Sequence, residues 1–142
     1  MILDAESLVA ESPEVIRASL EAVYAIFVAE AGCSAYVKTI YVGFEMHGVM
    51  VAAAYPHAAL VEVALALPED APGERLVDAT HLTWQTMPVA VEVSSPEDAA
   101  DLRGYFDEAA RRVRSQVHDV VLPRERFINR DRFLTSRPSR RR

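Results

Sequence analysis

Cysteine is almost missing from this 142-residue chain: Cys33 stands alone. A single thiol can form no disulfide within the chain and no cysteine zinc cluster. Lysine is as scarce, with Lys38 the only one, so an amine-based Schiff base has one candidate. Five dispersed glycines leave no GxGxxG and no P-loop to cradle a phosphate, and neither HExxH nor GxSxG occurs. No apolar run approaches the roughly 18 residues that span a bilayer. The opening MILDAESLVAESPE is acidic where a signal peptide needs a positive start and an apolar stretch. These absences lead to the expectation of a cytoplasmic protein with no membrane partner, no metal site and no cofactor.

What is present fits one globular domain. The length suits a single domain that buries roughly two thirds of its unfolded surface. Hydrophobic residues at 51% against 25% charged argue against wholesale disorder. Charge is split along the chain. Residues 123–142 hold eight arginines against Glu125 and Asp131, a balance of +6, whereas residues 1–122 carry −12 of the overall −6. The chain is therefore read as a domain over 1–122 and a basic, Arg-rich tail over 123–142.

Residues 1–11 read as an acidic lead-in. The pattern then predicts a helix over 13–31, capped by Ser12 and opened by Pro13, with Ile16, Leu20, Val23 and Phe27 on one face and Gly32 beyond its end. A strand follows over about 36–46, with Ile40, Val42, Phe44 and Met46 on one face and Thr39, Tyr41, Gly43 and Glu45 on the other. His47-Gly48 reads as a two-residue hairpin turn. A small, apolar strand over 49–55 reads as central, and Pro56-His57 as a second turn. The strand over 58–67 places Val61, Val63, Leu65 and Leu67 on one face, with Glu62 opposite. Pro68–Thr80 reads as a loop, His81–Pro88 as extended chain, and 89–93 as a last strand. Ser95 and Pro96 open a helix over 96–118. The expected fold is α+β: a helix, an antiparallel meander of four to five strands, a long helix on the same face, then the Arg-rich tail.

Chemistry-bearing residues are few. The four histidines are too dispersed along the chain to read as a metal cluster, and His47 and His57 read as turn residues. Glu45, Glu62 and Glu92 fall on the less apolar sheet face, where a solvated surface is the ordinary expectation and an acid–base group the sharper one. Tyr41, Glu62, His81 and Trp84 form a candidate ligand site, with Trp84 as the floor of a shallow pocket; the competing reading makes Trp84 core. Cys33 reads as a packed small hydrophobe. In the tail, Arg124, Arg126, Arg130 and Arg132 are candidates for contact with a partner or with phosphates, and Phe127 and Phe133 for anchoring or base stacking. The acidic body repels a polyanion, so docking onto the chain's own body or a second copy is preferred to nucleic acid.

Tyr41-Val42-Gly43-Phe44, the strand pair after it and HLTWQTMPVAVEVSSPEDAADL from His81 to Leu102 carry a resemblance. Residues about 14–118 resemble a bacterial family of small α+β domains that stand alone or end so-called predicted transport proteins. The order helix, meander, helix is also similar to the MmcQ/YjbR-like proteins, of CyaY-like fold, which often show a His…Trp pair where His81 and Trp84 stand. The resemblance implies the fold and brings no catalytic residues; some relatives are labelled DNA-binding. It does not extend to the tail. The reading that follows is a non-enzymatic binding domain, expected to form a homodimer. The alternatives are a nucleic-acid accessory protein using the tail arginines and a small-molecule enzyme with a site near His81 and Trp84.

Overall fold

The computed structural model describes residues 13–121. Helix α1, Glu14–Tyr24, starts just after Pro13, whose extended backbone (ψ 144°) leads into it. The expected Ser12 cap and the acidic lead-in lie outside the described residues. Ile16, Leu20, Val23 and Phe27 are all buried, as their helical spacing requires. From Ala25 to Glu30 the helix widens into π turns, and the Ala31 N–H reaches back five residues to the Ile26 carbonyl at 3.0 Å. Gly32 then turns left-handed at φ 81° and ends it.

Six strands follow: β1 Ser34–Val37, β2 Val42–Met46, β3 Val49–Pro56, β4 Val61–Leu65, β5 Val77–Asp78 and β6 Val89–Val93. All pair antiparallel in one sheet of order β1-β2-β3-β4-β6-β5. The strand expected over 36–46 is thus a hairpin. The Lys38 N–H bonds the Tyr41 carbonyl at 2.9 Å, which reverses the chain and leaves Ile40 63% exposed instead of on the packed face. The His47-Gly48 turn forms as expected, with both residues at positive φ (51° and 83°), the backbone a tight hairpin requires. The strand expected over 58–67 shortens to β4, because the His57 N–H bonds the Leu60 carbonyl and makes 57–60 a turn. Inside the expected 68–80 loop lies β5, at the far edge of the sheet.

Two helices complete the domain: α2, Pro96–Asp101, and α3, Arg103–Val121. The single helix expected from 96 breaks at Leu102 (φ −92°, ψ 3°), just ahead of Gly104, a poor helix former. Ser95 caps α2 by accepting from the Asp98 N–H at 3.0 Å, and Asp98 accepts from the Ser94 N–H at 3.0 Å in return. Burial pushes the Asp98 carboxyl up, but Arg75 at 2.7 Å and the Ser94 N–H outweigh it and hold the group below the usual carboxylate range.

The helices pack on the sheet face made by Val42, Phe44, Val61, Val63, Leu65, Val91 and Val93. Phe27 is the hinge of this core, stacked on Phe44 at 4.8 Å between ring centres and tilted against Phe106 at 5.0 Å. Cys33 belongs to the same core, and burial pushes its thiol up to about 11 despite the nearby Arg114 guanidinium. Among the described residues no helix is long and apolar enough to cross a membrane.

Candidate functional site

The opposite sheet face is also covered, by the segment between β5 and β6. Thr80–Leu82 forms a 3-10 turn where extended chain was expected, and Thr83 then reverses direction at φ 67°. The Ala79 N–H bonds the Pro88 carbonyl at 2.9 Å, so 79–88 closes as a loop laid over the sheet. Its Trp84 and Met87 pack with Met50, Ala53, Tyr55 and Ala64 in a second, smaller apolar cluster, with Tyr36, Tyr41 and Leu82 at its margin.

Trp84 is therefore core, 7% exposed, and not the open floor of a pocket. Its indole N–H donates to the Tyr55 hydroxyl at 2.7 Å. Tyr41 meets Trp84 edge-on at 5.5 Å and Tyr55 at 5.1 Å, and Tyr36 lies over Gly43 so closely that a Cβ there would sit 2.5 Å from its ring. The aromatic residues thus brace one another across β1, the reversal before β2, β3 and the covering loop.

Glu62 is the one charged residue buried among the described residues, at 8% exposure. A solvated position was expected for it; the covering loop removes the solvent. Its register partners are Tyr55 on β3 and Glu92 on β6. Two histidines hold it. The Nε2 of His57, from the β3–β4 turn, lies 2.9 Å from Oε1, and the Nε2 of His81, from the 3-10 turn, lies 2.7 Å from Oε2. Each carboxylate oxygen thus has its own imidazole. The histidine side chains are 49% and 57% exposed, so the carboxylate is inside and its partners face water. Beside His81, the Asp78 carboxyl is held below its usual range, first by the Thr80 hydroxyl at 2.7 Å, then by the Thr80 N–H, with the His81 imidazole adding to both.

Of the four residues singled out in the sequence, Glu62 and His81 meet directly, and Tyr41 and Trp84 meet each other beside them. Tyr55 links the two pairs: it accepts from Trp84 and is the β3 register partner of Glu62. Neither Tyr55 nor His57 stood out in the sequence. The available signal was spacing: His57, in the predicted Pro56-His57 turn, precedes Glu62 by five residues. Of the three sheet carboxylates, Glu62 and Glu92 are neighbours, whereas Glu45 pairs with Met50 at the other end of the sheet. Among the described residues no group of three His, Cys, Asp or Glu side chains is arranged to hold a metal ion. The tail candidates Arg124, Arg126, Phe127, Arg130, Arg132 and Phe133 lie outside the described residues. No family profile, curated protein or solved structure matches the chain.

Proposed function

We propose that this chain is a non-enzymatic binding domain that self-associates, its Glu62 face receiving the basic 123–142 segment of a second copy. The observation that carries this reading is the choice of partners for Glu62. A buried carboxylate is expensive unless it is paired, and imidazole carries no fixed charge at neutral pH. A guanidinium would satisfy it better, and the chain is rich in arginine. Eight of those arginines are instead gathered in 123–142 together with Phe127 and Phe133.

The surroundings support the same partner. Glu92 and Asp78 are exposed beside Glu62 and His81, with no Arg or Lys ion pair among the described residues. Half-buried Tyr41 offers a ring to which a guanidinium binds. Arg124, Arg126, Arg130 and Arg132 are the contacting residues in this reading, and the two phenylalanines its anchors. The variant Glu62→Gln/Glu92→Gln/Asp78→Asn tests it by sedimentation. A weaker dimer with an unchanged circular dichroism spectrum supports the reading, and a dimer of unchanged affinity overturns it. Nucleic-acid binding by the same arginines predicts an affinity that falls steeply with salt, and the acidic body opposes it.

A second reading has its own observation. With both Nε2 atoms turned to Glu62, the Nδ1 atoms of His57 and His81 make no hydrogen bond among the described residues. A carboxylate behind an imidazole is the arrangement of a general base. Hydrolysis of p-nitrophenyl acetate that exceeds the rate of a His57→Ala/His81→Ala variant favours catalysis; equal rates leave the binding reading alone.

A further inference from the structure

Between the end of the first helix, the β2–β3 turn and the C-terminal part of α3 lies a cavity of about 680 Å³. Its volume falls within the range of small-molecule sites, roughly 300–1,000 Å³. Ala31, Met46 and Val117 give it an apolar surface, Glu45 and Arg114 supply its charges, and His47 stands in the same wall. Two backbone irregularities shape it. The π turns that extend α1 run into Ala31, and the β2–β3 register shifts between Phe44 and Glu45. Both kinds of irregularity recur at functional sites, and a bulge re-aims the side chains beside it.

The two charges do not answer each other. Glu45 and Arg114 line one cavity, yet neither has an ion pair among the described residues. A terminal nitrogen of Arg114 donates to the Ala31 carbonyl at 3.0 Å, a neutral acceptor. Arg114 also acts on the Cys33 thiol, which burial keeps protonated. Glu45 is half-buried and Arg114 exposed, so both are reached from solvent. A simple anion would meet Glu45 as a like charge, and a simple cation would meet Arg114 as one. Only a ligand that carries both signs complements both walls.

We infer that this cavity binds a small zwitterion, its carboxylate on Arg114, its ammonium on Glu45 and a short aliphatic body between them against Ala31, Met46 and Val117. A guanidinium takes a carboxylate as a planar, two-pronged partner, and an ammonium brings three donors to a carboxylate. The body is required because the two side chains do not meet each other. The site is separate from the Glu62 face, so it stands or falls independently of self-association.

The test is an amide-resolved NMR titration of the full chain with 6-aminohexanoate. Hexanoate and hexylamine are the controls, each keeping the body and one of the two charges. Saturable shifts at Gly32, Glu45 and Arg114 are expected for the zwitterion, with binding about tenfold weaker for each control. Arg114→Gln should bring the zwitterion down to the affinity of hexylamine, and Glu45→Gln to that of hexanoate. Both side chains reach solvent, so both variants should keep the circular dichroism spectrum of the parent. Three results overturn the inference: no saturable shifts at the cavity, a singly charged control that binds the parent as tightly as the zwitterion, or undiminished zwitterion binding in either variant.

Discussion

The indole N–H of Trp84 and the hydroxyl of Tyr55 lie 2.7 Å apart, joining a covering loop to a central strand across 29 residues of chain. Both side chains are buried at 7% exposure. Tyr55→Phe keeps the ring and removes the acceptor of this buried bond. The expected cost is about 1–3 kcal/mol, read as a lower melting temperature with the circular dichroism spectrum kept. An unchanged melt would show that the bond does not hold the loop.

The two histidines on Glu62 predict a non-additive pair. Either one alone still satisfies one oxygen of the carboxylate, and both are half exposed. His57→Ala and His81→Ala should each cost less than about 1 kcal/mol. The double variant leaves Glu62 buried without a hydrogen bond, and should exceed the sum of the single changes by about 0.5–3 kcal/mol. Chemical denaturation of the four proteins decides it; simple additivity would mean that the carboxylate does not depend on them.

Cys33 should be inert in the folded protein. Burial pushes its thiol up to about 11, so at pH 8 the reactive thiolate is a minor species and is shielded as well. Iodoacetamide at pH 8 should label the native chain far more slowly than the denatured chain, by intact mass. Comparable rates would place the thiol outside the core.

Asp98 gives a pH dependence of defined sign. Its folded pKa is lowered, so its contribution is present above the ordinary carboxylate value, about 3.9, and is lost as pH falls through the lower folded value. Asp98→Asn retains an oxygen for the Ser94 N–H but removes the charge facing Arg75. The variant should melt slightly lower at pH 7 and lose less stability than the parent on acidification below pH 4. Parallel acid profiles would contradict the assignment.

Local chemistry made parts of this fold readable from residues alone. His47-Gly48 marks a hairpin because a tight turn needs positive φ at both positions, and Val61, Val63 and Leu65 mark the packed side of a strand because successive side chains alternate. The Lys38–Tyr41 reversal carried no such mark. Its four residues, Lys-Thr-Ile-Tyr, include no glycine, proline, asparagine or aspartate, and Ile40 continues the alternation of a longer strand. The candidate site was half legible for a different reason. Alternation places Glu62 opposite the core, but only the loop closed by Trp84 on Tyr55 makes that face an interior. That closure is a contact between distant residues, which periodicity does not encode. His57 was missed on the same ground, since its role depends on the turn folding it back onto Glu62.

In the proposed assembly the basic segment of one copy engages the acidic body of another. Its most direct test is mass in solution by light scattering, for the full chain and for a chain ending at Leu122. Assembly through the basic segment gives a dimer for the full chain and a monomer for the shortened one. The same mass for both would contradict it, and would leave the tail arginines free for a different partner.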